Sequence, residues 1–186
     1  MIDLHTPRYS SAEAARACGI PPTTLRTYFA RNHFRVLGDT RPRDTNGLPH
    51  LFSLRDIVGL AIALRLMETT AITPKQAFKI GMIDFAHTGD SAREPGRAFN
   101  FHEFGETAIL YWPQHDRARI MPFDKVTISE LQGVGARYQA CSVLLVNCLI
   151  GDVYKALRLD PLEAINGSAP PENSKPWEDT GEIVPE

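Results

Sequence analysis

The residues best suited to binding chemistry lie between positions 22 and 31. At helical spacing, this segment presents hydroxyl groups, a phenol and two guanidinium groups on its polar side. Such groups form hydrogen bonds with DNA phosphates and with the edges of bases. The candidate contact residues are Thr23, Thr24, Arg26, Thr27, Tyr28 and Arg31.

A second set of polar residues would support a different chemistry. His102-Glu103 and His115-Asp116 could meet in space as a metal or acid–base site, although polar residues that flank a hairpin on the surface are the commoner explanation. The sequence contains no Gly-rich phosphate loop and no nucleophile elbow. We therefore expect a protein that is not an enzyme, with no catalytic residue, no metal site and no cofactor.

The residues around the polar segment predict how it is held. Ser10 and Glu13 have the spacing of a capping box, so a first helix is expected to begin at Ser10. Gly19 supplies the left-handed conformation that ends a helix, and Pro22 suits the first turn of the next. The second helix is expected to run from about Pro22 to Arg31.

The stretch from Arg35 to Phe52 predicts a wing, meaning two short strands joined by an exposed loop. Val36-Leu37 and Leu51-Phe52 are its apolar flanks. Arg41 and Arg43 lie near the loop tip, where long cationic side chains could reach a phosphate backbone. The alternative is a basic loop that contacts nothing.

Two further helices follow the loop. Ser53 can cap the first, with Asp56 in its first turn. Its apolar residues then recur at the spacing of a core-facing stripe: Ile57, Leu60, Ala61, Leu64 and Met67. Thr73-Pro74 begins the second helix, whose inward residues are expected to be Ala77, Phe78, Gly81 and Phe85.

The order of these motifs resembles the N-terminal DNA-binding domain of the MerR family of bacterial transcription regulators. The similar stretches are Tyr9-Ser10 with Glu13-Ala14-Ala15, Gly19-Ile20 with Thr24 to Tyr28, Phe52 to Ile57, and Ile72 to Ala77. They cover roughly residues 8 to 85. The resemblance implies a winged helix-turn-helix fold and double-stranded DNA as the partner.

The sequence departs from that family's pattern in three places. The recognition segment of the family typically ends Leu-Arg-Tyr-Tyr, and here Thr27 replaces the first tyrosine. Asn32 to Leu37 stands where the family usually has Gly-Leu-x-x-Pro, and His50 stands where an arginine is expected. The effector rules of the metal- and drug-sensing members are therefore not carried over.

Charge is distributed unevenly along the chain, although the formal net charge is only −2. From Arg8 to Arg55 there are eight arginines against Glu13, Asp39 and Asp44, a balance of +5. From Leu159 to the end, seven acidic residues face Lys175 alone, a balance of −6. A basic N-terminal part fits nucleic-acid binding better than a solvated surface without a partner.

The residues after position 87 predict a smaller second part. Residues 88–100 read as a linker, and Thr107 to Trp112 with Arg117 to Phe123 predict a hairpin. Aromatic residues there could line a ligand pocket, but they more often cover one side of a hairpin: Phe99, Phe101, Phe104, Tyr111 and Trp112.

The stretch from Arg137 to Leu157 predicts a long helix with apolar residues on every side. Such a helix must be buried, either at the centre of the C-terminal part or against its copy in a second chain. A strand from Ser142 to Ile150 is the competing assignment. Residues 159–186 are acidic and Pro-rich and are expected not to fold alone.

The cysteines and the apolar runs suggest the compartment. Cys18, Cys141 and Cys148 form no even framework and no Cys-x-x-Cys pair, which favours a reducing compartment over disulfides or structural zinc. On a helix, Cys141 and Cys148 would share a face, most simply as small packed hydrophobes. No signal peptide is evident, and Val143 to Ile150 is far shorter than a membrane span of about 20 residues. We expect a cytoplasmic protein without a membrane partner.

These observations predict a mainly α fold with a small β part. Residues 1–87 would form a winged helix-turn-helix domain, and residues 101–158 a small α+β or helical part for dimerisation or ligand sensing. The expected function is that of a sequence-specific transcriptional regulator of bacterial or phage type, a homodimer on an inverted-repeat operator. The alternative is a non-regulatory phage or mobile-element DNA-binding factor, a packaging or excision module that recruits an enzyme. Nothing in the sequence identifies a small-molecule effector.

Overall fold

The computed structural model of the protein describes residues 4–31, 33, 50–85, 106–113, 117–133 and 138–160. This part of the chain is a mixed α and β structure, in which helices pack with two small antiparallel sheets. The elements are β1 Tyr9–Ser10, α1 Ser11–Ala17, α2 Pro22–Ala30, β2 Leu51–Phe52, α3 Leu54–Thr69, α4 Pro74–Lys79 with a π-helical turn Ile80–Asp84, β3 Thr107–Trp112, β4 Arg117–Pro122 with a 3-10 turn Phe123–Lys125, α5 Ile128–Leu131, β5 Ser142–Leu145 and α6 Val146–Ala156.

The predicted capping box at Ser10 and the predicted cap at Ser53 are confirmed, and the Ser53 cap is also a capping box. The Ser10 amide donates to the Glu13 carboxylate over 2.8 Å, and the Glu13 amide donates to Ser10 Oγ over 3.3 Å. The Glu13 carboxylate accepts from the Ser10 amide and also from the Ser10 hydroxyl, the latter over 2.7 Å, and these two bonds hold the pKa of Glu13 below its usual range. Ser53 and Asp56 exchange the same pair of bonds, at 2.9 and 3.1 Å, at the start of α3. Both helices therefore begin where local side chains satisfy their first amide groups.

The first sheet pairs β1 with β2. Tyr9 lies opposite Phe52, and Ser10 lies opposite Leu51. Leu51-Phe52 is thus a strand, as the wing prediction requires, but its described partner is the strand before α1. Val36-Leu37, the predicted partner, lies outside the described residues.

Helix α3 crosses the π-helical turn that follows α4 at a point where both chains carry a glycine, so that the two backbones lie close together. A Cβ added at Gly59 would lie 2.7 Å from the carbonyl oxygen of Gly81, and one added at Gly81 would meet the carbonyl oxygen of Gly59. The predicted inward residues Ala77, Phe78, Gly81 and Phe85 are all buried. This close crossing requires glycine on both sides, because any larger residue would push the helices apart.

The second sheet has the order β4-β3-β5, with antiparallel pairing on both sides of β3. The predicted hairpin is confirmed as β3 and β4. Ile109 and Tyr111 face one buried cluster, while Leu110 and Trp112 face another. The Trp112 indole donates to the carbonyl oxygen of Leu131 over 2.8 Å. Tyr111 and Trp112 are therefore packing residues of the hairpin, and Phe99, Phe101 and Phe104 lie outside the described residues.

The prediction of one helix from Arg137 to Leu157 is wrong. Ser142–Leu145 is strand β5, and α6 begins only at Val146. The competing strand was right for these four residues and wrong beyond them. Pairing with β3 decides the boundary: Val143, Leu144 and Leu145 lie opposite Leu110, Ile109 and Ala108, respectively. Cys141 and Cys148 consequently share no helix face.

Helix α6 packs onto the N-terminal helices α1 and α3. Its buried residues include Val146, Ile150, Val153 and Tyr154, and these belong to the same apolar cluster as Ala14 and Ala15 of α1. On its other side Cys148, Asp152 and Lys155 are exposed. The apolar side of α6 is therefore covered within the chain. The division of the chain at residue 87 stays a prediction, as do the linker at 88–100 and the tail, which lie outside the described residues except for 159–160.

Candidate nucleic-acid interface

The connection between α1 and α2 sets the direction of α2. Gly19 has φ +69°. Its amide donates to Arg16 O over 3.1 Å, and the next amide, that of Ile20, donates to Ala15 O over 3.0 Å. These two bonds form a Schellman ending, as the sequence predicted for this glycine. Helices α1 and α2 are in contact, and the small side chains of Ala14 and Ala15 in α1 are completely buried.

Helix α2 buries one residue and turns a polar face outward. Leu25 is only 1% exposed. The opposite face carries the exposed residues Thr23, Arg26, Thr27 and Arg31, together with Ala30. The Thr27 hydroxyl donates to Thr23 O over 3.0 Å, so its proton is already engaged and its oxygen is left to accept. Four of the six predicted contact residues on α2 thus share one exposed face.

The other two predicted residues on α2 lie nearer the core. Thr24 and Tyr28 are both half-buried. The Tyr28 ring packs edge-on against Phe78 of α4, with the ring centroids 5.2 Å apart. Its ring therefore anchors α2 to α4, and a phosphate contact would use the hydroxyl alone.

Two described residues that flank the predicted loop, His33 and His50, pack against α2. His33 packs edge-on against Tyr28, with ring centroids 5.9 Å apart, and stacks on Phe78 at 6.3 Å. His50 stacks on Phe29 at 5.0 Å, with 15° between the ring planes. The two histidines thus fix the residues before and after the loop beside consecutive residues of α2. The sequence predicts no role for this pair, since the His33–Phe78 and His50–Phe29 contacts join residues that are distant in sequence. Arg41 and Arg43 lie outside the described residues.

Some cations of the described residues form ion pairs, whereas the arginines of α2 are among those that do not. Arg65 pairs with Glu68 at 2.7 Å, Lys79 pairs with Asp84 at 2.9 Å, and Arg119 pairs with Glu130. Arg26 and Arg31 form no ion pair with any residue that the structure describes, and α2 itself contains no acidic residue. Their charges are therefore available to an external anion.

Other kinds of site find less support in the described part of the chain. It contains no group of three or more His, Cys, Asp or Glu side chains arranged to hold a metal ion. His102-Glu103 and His115-Asp116 lie outside it. The thiol of Cys18 donates to Ile57 O over 3.6 Å, and burial raises its pKa to about 12. A thiol in that state is a poor nucleophile at neutral pH.

Comparison with known proteins gives no relative for this chain: no family model, no curated protein and no solved structure matches it. Among the described residues, none of the helices is both long enough and apolar enough to span a bilayer.

Proposed function

We propose that this protein is a sequence-specific DNA-binding regulator, of bacterial or phage type, that acts in the cytoplasm and catalyses no reaction. The observation that carries the proposal is the outer face of α2, where hydroxyl groups and two arginines without acidic partners lie on one exposed helix side. A helix of this kind fits the major groove of B-DNA and can contact base edges and phosphates together.

The proposed roles follow from position on the helix. Thr23 and Thr27 face outward at the centre of the exposed side, so they would lie nearest the base edges, with Thr24 beside them. Arg26 and Arg31 would contact phosphates, as would the hydroxyl of Tyr28. Arg41 and Arg43 would act from the predicted loop after α2, which is flanked by His33, edge-on against Tyr28, and by His50, stacked on Phe29. Together with β2 this arrangement supports the proposed winged helix-turn-helix.

A homodimer on an inverted repeat is the proposed binding form. One recognition helix reads few base pairs, and pairing of two chains extends the site and its specificity. The apolar side of α6 packs on α1 and α3 of the same chain. This helix is therefore not evidence for a dimer. The proposal therefore rests on the specificity argument alone. The alternative function is a phage or mobile-element DNA-binding factor that recruits an enzyme; recovery of a terminase or integrase with the protein would favour it.

Arg26→Ala tests the proposed interface most simply. Loss of one phosphate contact should weaken binding to every duplex and reduce the slope of log K against log salt by about one unit. Affinity for a specific and a random duplex would be measured by fluorescence anisotropy at several salt concentrations. The matched control is Lys155→Ala, which removes one positive charge from the exposed side of α6. Equal slopes for both variants and the unaltered protein would contradict the assignment of α2.

A further inference from the structure

The hydroxyl group of Thr27 is held in one orientation. Its oxygen lies 3.0 Å from the backbone oxygen of Thr23, one turn earlier in α2. A carbonyl oxygen can only accept, so the hydrogen between the two atoms must come from Thr27. A bond of this kind is worth roughly two- to tenfold in an equilibrium constant. The Thr27 hydroxyl therefore presents an acceptor, and not a donor, to a group outside the helix.

Thr27 also lies at the centre of the exposed face of α2. Thr23 and Arg31 lie four residues to either side of it, and Ala30 lies three residues after it. Residues at these spacings are neighbours on a helix. The side chains of Thr23 and Ala30 are short, so they leave room for a base edge to approach Thr27, whereas Arg31 is long enough to reach a phosphate beside the groove. Thr27 is thus well placed to contact a base.

An acceptor without a donor distinguishes two kinds of base in the major groove. Adenine and cytosine present an exocyclic amino group there, at N6 and N4, which donates. Guanine and thymine present a keto oxygen, at O6 and O4, which accepts. A threonine with a free hydroxyl can bond to either kind of base. A keto oxygen that faced Thr27 would remain unpaired unless the bond to Thr23 were broken, and either result costs free energy.

We propose that Thr27 is a specificity-determining residue that accepts a hydrogen bond from an exocyclic amino group of a base. Adenine or cytosine is then required on the strand that Thr27 faces, and guanine and thymine are rejected. The inference rests on the proposed function and adds to it the kind of base that α2 selects. The expected preference at one position of the binding site is about two- to tenfold, the value of one such hydrogen bond.

Selection of bound duplexes with the full-length protein and with Thr27→Val tests the preference. Valine keeps the shape of threonine and removes the oxygen, so one position that excludes guanine and thymine should come to tolerate all four bases. Thr27→Ser keeps the acceptor and should retain the preference. Thr69→Val is the matched control, because Thr69 on α3 is exposed and forms the same kind of bond, to Arg65 O over 2.8 Å. It should leave the selected sequence unchanged.

Duplexes with altered bases identify the group that is read. Purine in place of adenine lacks the 6-amino group, and pyrimidin-2-one in place of cytosine lacks the 4-amino group. The replacement that applies at the selected position should lower the affinity of the unaltered protein more than that of Thr27→Val, by a further factor of about two to ten. Both proteins meet the same weakened base pair, so the difference between their losses isolates the contact.

The outcomes separate this inference from the proposed function. A selected position that requires guanine or thymine and depends on Thr27 would overturn the inference, as would equal losses for both proteins on the altered duplexes or a selected sequence that Thr27→Val leaves unchanged. Binding that still depends on Arg26 would, in those cases, continue to support the function. Binding without any preferred sequence would overturn both.

Discussion

Ile150→Ala should destabilise the whole described fold, because Ile150 joins α6 to the cluster built by the N-terminal helices. The side chain is 0% exposed. Its truncation removes three buried carbons, worth roughly 2.4 kcal/mol at about 0.8 kcal/mol each. The cavity left behind adds to this, which gives about 3–4 kcal/mol in the usual range for such changes. For a chain of this length, the melting temperature should fall by roughly 6–16 °C, at about 2–4 °C per kcal/mol.

The assay is unfolding by urea and by heat, with circular dichroism as the signal that monitors each transition. Cys148→Ala is the matched control, since Cys148 is an exposed residue of the same helix and should change the free energy of unfolding by no more than about 0.5 kcal/mol. One cooperative transition, shifted by Ile150→Ala alone, is the expected outcome. The reasoning would be refuted by two transitions of which Ile150→Ala moves only one, because α6 would then not share a core with α1 and α3.

Three further predictions concern stability. Gly81→Ala should destabilise the fold by about 1–3 kcal/mol, since its Cβ would meet a backbone carbonyl of α3. Gly151→Ala, with open space around its Cβ, should stabilise the fold by about 0.5–1 kcal/mol. Urea unfolding compares the two variants, and equal effects would contradict the close crossing. Arg158 has φ +57° at the end of α6, so Arg158→Gly should raise the melting temperature by a few degrees, from about 1 kcal/mol of relieved strain, and no rise would contradict this. In the folded protein the pKa of Cys18 is raised from 9.0, and that of Tyr154 from 10.0, to about 12 in each case. The unfolded chain therefore loses these two protons at lower pH than the folded protein, and the free energy of unfolding should fall as pH rises from 9 to 12. Cys18→Ala should flatten the early part of that fall.

The features that could be predicted from sequence are those set by neighbours along the chain. The helix caps at Ser10 and Ser53 and the ending at Gly19 depend on residues a few positions apart, and the hairpin of β3 and β4 joins consecutive strands. Local chemistry alone fixes these elements, so their positions agree with the structure.

The features that could not be predicted depend on distant partners. Val143 to Ile150 is the most apolar run of the chain, and only the pairing with β3, which ends at Leu145 opposite Ala108, shows where the strand ends and α6 begins. The sequence predicts Tyr28 as a polar contact residue, whereas in the structure its ring packs against Phe78, which lies fifty positions later in the chain. The stacking of His50 on Phe29 likewise has no signal in local spacing.

Selection of bound sequences from random duplex DNA, followed by a footprint on the most enriched one, tests the central claim most directly. The full-length protein should enrich a defined inverted repeat and protect two half-sites about one helical turn apart, or a multiple of it. Thr27→Ala should change which bases are enriched, whereas Lys155→Ala should enrich the same sequence as the unaltered protein. Recovery of no preferred sequence, together with binding that neither Thr27→Ala nor Arg26→Ala alters, would contradict the proposal that α2 reads DNA.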